Sequence, residues 1–452
     1  MKTTVKPPWL SPQWQCLKHT GEWPELSFGS WQVDAPPALQ AAKERISQLE
    51  ASNRWELVKK MVNPYEMVYT HEDPNFHPSI TVIKPLSRSY FKLIEMLEIL
   101  QFFDKLPKQT PKIRTAHIAE GPGGFIQAVV DITERNKKIL QLSTAMTLKP
   151  TDQRVPGWRR ASSFLHNHQE VRLHYGVDGT GDVYRQANQD SFVAAAGHVN
   201  LFTADGGFDF SINYDIQEQK VYSLLACSAT TGLRCLAPGG SFVLKLFDVC
   251  SESTMILIAL MGRCFAEWTL YKPALSRPCN SERYFLGRGF KGLPATMLKS
   301  LLEIQRQAVQ ESYPIHAFGV LSPDEMDYIQ ANAKKTAQDQ LSAIEIAEKW
   351  AENTDAWYTE QLARDFQTSL AWCQKFRVPY SITQPRAVTR VVYTSARVSF
   401  LPRLLPGGDS LCLRPYGPSG QALFEDCSGH SLAVESCQTD EDSPDKTLEA
   451  GS

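Results

Sequence analysis

The stretch TAHIAEGPGGFIQAVVD, residues 115–131, decides how the chain is read. An apolar run ends near Ala119, then come Gly121, Pro122, Gly123 and Gly124, and the residues beyond them have helical periodicity. That order predicts a strand, a tight turn and a helix N-terminus. Glycines let the backbone approach a ligand closely, and the first turn of a helix offers unpaired N–H groups to an anionic end such as a carboxylate. Taken alone, Gly-Pro-Gly-Gly suits any sharp bend. The turn has neither the GxGxxG pattern of dinucleotide sites nor the GK[ST] ending of a phosphate loop, which moves the reading toward a ligand that carries an amino acid. S-adenosylmethionine, through its methionine tail, fits such a turn.

Outward from the turn, residues 113–290 alternate short β-rich runs, among them 116–119, 140–148, 199–204 and 241–247, with helical stretches. This alternation predicts an α/β fold with a parallel, doubly wound sheet over residues 61–295. Residues 1–60 hold Trp9, Trp14, Trp23, Trp31 and Trp55, half of the ten tryptophans, and read as an N-terminal extension that docks its aromatics on the main domain. Residues 296–380 turn helical and are expected to form a C-terminal layer, with 326–352 free of Gly and Pro. The segment 381–404 carries Arg386, Arg390, Arg397 and Arg403 among β-branched residues and reads as a strand or a basic arm. Residues 405–452 are rich in Gly, Pro, Ser and acids, the composition of a disordered tail.

Composition excludes several classes. The 452 residues carry 47 Lys+Arg against 49 Asp+Glu, a formal net charge of −2, so nucleic acid can be held only by a local basic groove. The ten cysteines form no CxxC pair and no Cys/His cluster at zinc spacing, which points to reduced thiols and no metal site. The first residues lack an apolar core of signal-peptide length, and no segment is long and apolar enough for a membrane span, so a soluble, non-secreted protein is expected. HExxH and GxSxG are absent, which leaves metal and serine hydrolases without support.

Candidate chemistry gathers around the turn. Asp178 and Asp182, in GVDGTGDVYRQAN (176–188), could accept from the hydroxyls and amine of an adenosine, and could as well make turns. Asp205, in TADGGF (203–208), follows an apolar run and should sit at the carboxyl end of a strand, where open α/β sheets bind ligands. Lys245 is the one charge in the apolar run SFVLKLF (241–247). On strand chemistry alone, a structural ion pair with Asp205 and a catalytic base are equal readings. Lys92 lies at the start of an amphipathic helix in PLSRSYFKLIEML (85–97), and Glu282 just before a β-like run in SRPCNSERYFLGRGFKG (276–292).

Lys92, Asp205, Lys245 and Glu282, in that order around the glycine turn, resemble the K-D-K-E tetrad of the FtsJ-like 2′-O-ribose methyltransferases. NPYEMVY (63–69), EGPGGF (120–125), AMTLKP (145–150), VDGTGDV (177–183), LAPGGSFVLKLFD (236–248) and SRPCNSERY (276–284) are similar to successive motifs of the mRNA cap ribose methyltransferases of eukaryotes and viruses. Glu120 and Cys279 depart from the residues common there.

The resemblance implies a Rossmann-like class I methyltransferase fold with S-adenosylmethionine as cofactor. It implies Lys245 as the base, Lys92 as the like charge that favours its neutral form, and Asp205 and Glu282 as orienting carboxylates. Glu120, Gly121, Pro122, Gly123, Gly124, Phe125, Asp182 and Asp205 are the cofactor contacts it implies. Gln217, Arg277, Asn280 and Ser281 would meet the RNA, and Arg88 would either meet phosphate or serve as a helix cap or ion pair. Tyr65, Tyr90 and the early tryptophans could stack on a guanine cap but read better as core. The expected partner is the 5′ end of capped mRNA, with capping or transcription machinery nearby. The expected location is the nucleus, or a cytoplasmic factory if the chain is viral. A ribosomal- or transfer-RNA ribose methyltransferase, or a binding subunit that has lost catalysis, is the alternative.

Overall fold

In the computed structural model, the described residues are 7, 12–16, 26–33, 37–70, 76–107, 110–149, 157–207, 217–317, 322–381 and five short strands beyond 389. The chain divides into two compact units, Met1–His71 with Pro78–Ser381 and Glu72–His77 with Ile382–Ser452.

In the first unit the order is β1 (Leu26–Gly29), α1 (Pro37–Ala51), α2 (Trp55–Met61), α3 (Ser89–Ile99), α4 (Phe102–Lys105), β2 (Lys112–Ile118), α5 (Gly124–Arg135), β3 (Ile139–Met146), α6 (Ser162–Asn167), β4 (Val171–Leu173), α7 (Gln186–Ala196) and β5 (Val199–Ala204). It continues with α8 (Gln217–Cys235), β6 (Leu236–Leu246), α9 (Glu252–Arg263), β7 (Phe265–Tyr271), β8 (Arg283–Phe290), α10 (Ala295–Val309), β9 (Tyr313–Ala317), α11 (Pro323–Glu352), α12 (Thr354–Glu360) and α13 (Leu362–Lys375).

Seven strands form one sheet in the order β4-β3-β2-β5-β6-β8-β7. β4, β3, β2, β5 and β6 run parallel, and β8 is antiparallel to both β6 and β7. The expected doubly wound sheet is present, with β8 as the departure from an all-parallel one. Only residues 272–282 join β7 to β8, fewer than a parallel crossover needs. The reversal has a consequence for the site, because it brings the start of β8 beside the end of β6, with Leu246 opposite Arg283 and Lys245 opposite Tyr284. Strand order reverses between β2 and β5, the switch point at which such sheets bind ligands.

The core lies on both faces of this sheet. In α9, Ser253–Arg263 is buried throughout, as expected of a helix apolar all round. Its one charge there, Arg263, makes two bonds to the buried Glu325 of α11, from Nε (3.1 Å) and Nη2 (2.9 Å). α11 starts with a capping box in which Ser322 and Glu325 each accept from the other's backbone N–H.

The N-terminal and C-terminal helices share contacts, α11 lying against α1 and α2. Trp357 Nε1 donates to Met61 O at 2.9 Å and Ser369 Oγ to Pro64 O at 3.0 Å. Of the early tryptophans, Trp14 stacks on the Arg288 guanidinium at 3.9 Å and Trp31 packs edge-on against Tyr222 and Tyr313. Gln15 bridges to Trp268 of β7, so the extension lies on that strand. Trp9 and Trp23 lie outside the described residues.

In the second unit, β10 (Arg390–Thr394) and β11 (Arg397–Leu401) form an antiparallel hairpin within the expected basic segment. Cys412–Leu413, Phe424–Glu425 and Ser431–Leu432 pair as three two-residue strands. The rest of the expected tail lies outside the described residues.

Candidate active site

The glycine turn joins β2 to α5 as expected, and its glycines answer to local packing. Gly123 is left-handed (φ 101°) and N-caps α5 without a side-chain bond, which leaves the first-turn N–H groups uncapped by any side chain. A Cβ on Gly123 would meet the Trp158 ring at 3.3 Å. A Cβ on Gly124 would meet the hydroxyls of Ser87 and Ser89 at 2.1 and 2.4 Å. Gly124 therefore lets α5 close against the start of α3, the helix that carries Lys92.

Asp205 follows the last residue of β5, Lys245 is the penultimate residue of β6, and Glu282 precedes β8. These three ends meet α3 at one edge of the sheet. Lys92 Nζ donates to Glu282 Oε1 at 2.5 Å. Lys245 Nζ stands 3.4 Å from Glu282 Oε2 and 3.5 Å from Asp205 Oδ1. Tyr284 Oη donates to Asp205 Oδ1 at 2.7 Å, and the Lys245 ammonium lies 5.3 Å over the Phe247 ring. All four tetrad residues predicted from the sequence are thus brought together. Tyr284 was missed, although it stands two residues after Glu282 in the quoted motif.

Burial pulls the Lys245 ammonium down, but the Asp205 and Glu282 carboxylates outweigh it and hold the lysine above its ordinary value. Burial raises Glu282, and Lys92 and Lys245 reverse that, leaving it well below the carboxylate range. Lys245 and Glu282 therefore rest as an ion pair. Lys245 is the loosest member of the tetrad, with both contacts longer than a good N–H···O bond.

Beneath the tetrad runs a buried polar chain. Thr203 Oγ1 donates to Glu120 Oε1 at 2.6 Å, and His117 joins Thr203 and Thr115 at 2.8 Å on either side. Burial lowers His117 to about 3, so the imidazole is neutral. Burial and the neighbouring Asp205 raise Glu120.

Two expected cofactor contacts have side chains engaged within the protein. Glu120 is 3% exposed and engaged by Thr203, and Phe125 is fully buried against Tyr284. Both follow from the turn, which directs them into the sheet and core.

Asp178 is occupied as a turn former, accepting from Thr180, Asn188 and Arg185. Asp182 accepts from Tyr184 N at 2.9 Å and lies 3.5 Å from Arg185 Nε. The loop of these acids seats on the end of β3, where Lys149 N donates to Thr180 O at 2.7 Å. Leu148 and Val177 are exposed there. Apolar side chains, the uncapped N–H groups of α5 and the carboxylates of Asp182 and Asp205 suit the adenosine and the charged tail of S-adenosylmethionine.

A pocket of about 230 Å³ opens beside the tetrad, lined by Gln217, Arg277, Asn280 and Ser281, four of the five residues expected to meet RNA, and by Phe247. Lys43, Trp55 and Lys59, from the N-terminal helices, also line it. Trp55 is one of the early tryptophans that the sequence singles out, whereas nothing in residues 1–60 marks Lys43. The Lys43 ammonium is set by an ion pair with Asp248 at 3.0 Å.

Arg88, the fifth, takes the ion-pair alternative. It pairs with Glu66 and donates to Tyr69 O and Leu275 O. Arg277 binds the same Glu66 at 2.7 Å (Nη2) and 3.2 Å (Nε). Burial would raise Glu66, yet the two guanidiniums bring it down to about 2. Tyr90 is core, its hydroxyl donating to Asp131 at 2.7 Å. Among the described residues no group of His, Cys, Asp and Glu could hold a metal ion, and no helix is long and apolar enough to cross a membrane.

Sheet order and glycine turn form the Rossmann-like fold expected from the sequence, with the four tetrad residues gathered at its ligand-binding edge. Residues 85–290 match the family model of the FtsJ-like methyltransferases. Over 247 residues it is 33% identical to Cap-specific mRNA (nucleoside-2′-O-)-methyltransferase 1 of Xenopus laevis, covering 51% of this chain and 27% of that protein. The protein of the same name in Trypanosoma cruzi is 31% identical over 47% of this chain and 59% of its own length. Cap-specific mRNA (nucleoside-2′-O-)-methyltransferase 2 of Danio rerio is 30% identical over 55% of this chain and 34% of its own. The matched region thus spans less than two thirds of each relative.

Proposed function

We propose that the chain transfers a methyl group from S-adenosylmethionine to the ribose 2′-hydroxyl of a leading nucleotide of capped mRNA. The observation that carries this reading is the placement of Lys245 between Asp205 and Glu282 at the switch-point edge, beside a pocket edged with basic side chains. The cofactor would supply a methyl group already activated on a sulfonium, which leaves positioning and the removal of one proton to the protein. The uncapped turn of α5 and Asp182 would hold it.

Lys245 accepts the hydroxyl proton. It rests protonated, so it must first lose a proton. Closure of the pocket over substrate excludes water and strengthens the desolvation that already opposes its charge, while Lys92 adds like-charge repulsion. Glu282 keeps both lysines in register, and Tyr284 orients Asp205. The nucleus, where caps are formed, is the location we infer.

Incubation with radiolabelled cofactor and capped or uncapped RNAs of defined first nucleotides, followed by nuclease mapping, tests this reading. Label is expected on a leading ribose of the capped RNA alone, with a rate that rises with pH as the base deprotonates. Equal labelling of both RNAs would transfer the reading to ribosomal or transfer RNA. No labelling would leave a binding subunit.

A further inference from the structure

Lys272, just after β7, belongs neither to the ion pairs of the tetrad nor to the pocket wall. Its ammonium donates to Asn280 O (2.7 Å), Asn280 Oδ1 (2.9 Å), Glu282 O (3.0 Å) and Ser276 Oγ (3.3 Å). Every acceptor lies in the connection between β7 and β8, the segment that ends on Glu282 and presents Arg277, Asn280 and Ser281 to the pocket. That connection makes little backbone structure of its own, with Ser276 N donating to Pro273 O and Asn280 N to Arg277 O.

The neighbours of Lys272 are clamped independently. Glu95 of α3, one turn beyond Lys92, accepts from Tyr271 Oη, from Ala274 N at 2.9 Å and from Trp372 Nε1 at 2.7 Å. The root of the connection is thereby fixed to the helix of one tetrad lysine, and Lys272 gathers the far end onto that root. The strand register fixes Arg283 onward, so the aim of Glu282 depends on how its own carbonyl is held.

We propose that Lys272 is a positioning residue that sets, through its bonds to Asn280 and Glu282, the placement of the tetrad glutamate and of the RNA-facing loop together. The substrate side of this inference rests on the reading above. Ångström-scale misplacement of a reacting constellation costs about a hundredfold in rate.

The test compares full-length wild type with Lys272→Met, which keeps an unbranched stem and removes every donor. Hydrogen exchange across residues 276–282 should speed up in the variant. kcat on capped RNA should fall about ten- to a hundredfold and KM for RNA should rise severalfold, with cofactor affinity and melting temperature held. Lys272→Arg, which restores charge and donors, should recover part of the loss. Lys272→Met combined with Asn280→Ala should lose less than the two single effects together, because they share a contact. Unchanged exchange in 276–282, or equal losses for cofactor and RNA together with a lower melting temperature, overturns the inference. A wild type that methylates capped RNA and a Lys272→Met variant that does so equally well overturns it alone. A wild type without transfer removes the functional reading instead, and the exchange measurement still decides whether Lys272 holds the loop.

Discussion

Two carboxylates in this molecule each bridge two basic side chains, and the pairs do different things. Glu66 lies between Arg88 and Arg277, and Glu282 between Lys92 and Lys245. Around Glu66 the hydrogen bonding is saturated. The carboxylate is fully buried, accepts from Asn63 as well, and Arg88 is tied further to two backbone carbonyls. Around Glu282 one lysine is held tightly and the other is shared at 3.4–3.5 Å with Asp205. Guanidinium cannot give up its proton at neutral pH, whereas a lysine ammonium can be tuned to do so. The first cluster is therefore a fastening between the 63–69 segment and the loop after β7, and the second has the chemistry that the proposed proton transfer needs. Charge count alone would not separate them.

The strongest way to break this comparison is to give the second cluster the chemistry of the first. Lys245→Arg retains charge and an ion pair with Asp205 but cannot accept a proton, so turnover should fall by roughly 10²–10⁴, as when a general base is lost. Lys245→Ala should be no more active, with melting temperature and cofactor affinity close to wild type. Turnover at saturating cofactor and RNA, with melting curves beside it, reads both variants. Substantial activity in Lys245→Arg would reduce this lysine to a fastening like Arg88.

The reverse substitution acts on stability. Glu66→Gln leaves two guanidiniums without their carboxylate, and breaking a buried ion pair costs about 3–5 kcal/mol. Glu66 titrates near 2 in the folded chain, against about 4.3 for a free glutamate. Its stabilisation is thus complete above the unfolded value and is lost as pH falls from about 4 toward 2. Denaturant melts of wild type and Glu66→Gln should differ most at neutral pH and converge in acid. A gap that stays constant down to pH 2 would show that the fastening is not ionic.

The second cluster was legible in the sequence and the first was not, for a physical reason. Asp205 after an apolar run, Lys245 alone inside one and the glycine turn between strand and helix could be placed from pattern, while the family resemblance joined Lys92 and Glu282 to them. Position relative to the sheet edge is thereby implied. Glu66, Arg88 and Arg277 meet across sequence separations that leave no periodic trace, although Glu66 lies within the quoted NPYEMVY. Lys272 is similar, because two of its four bonds go to backbone carbonyls that any sequence would provide and the other two to side chains in a loop without periodic pattern. The antiparallel β8 escaped notice because a β-rich run has the same pattern in either direction. Trp55 and Lys43 reach the pocket through packing of α1 and α2 against α11, a contact that patterning of either segment does not specify.

Arg277 lies on the boundary of the comparison, since it fastens Glu66 and also lines the pocket, and it carries the smallest expected effect. If it is only a fastening, Arg277→Ala removes two charge-assisted bonds, lowers stability by about 1.5–3 kcal/mol and alters RNA and cofactor binding alike. Its position favours a second role. Two guanidiniums share one carboxylate, so the cluster keeps a net positive charge, and Arg277 is the more exposed of the pair, at 28% of its side chain against 17% for Arg88. The excess charge therefore faces the pocket. Arg277→Ala should weaken RNA binding and lower the slope of log affinity against log salt by about one ion, with cofactor affinity unchanged. Arg88→Ala, with its guanidinium tied to backbone, should lower stability without changing that slope. Measuring both salt slopes by fluorescence anisotropy on one capped RNA separates the roles. Equal slopes in wild type and Arg277→Ala would assign Arg277 wholly to the fastening and leave Lys43 and Lys59 as the basic side chains of the pocket that remain to meet phosphate.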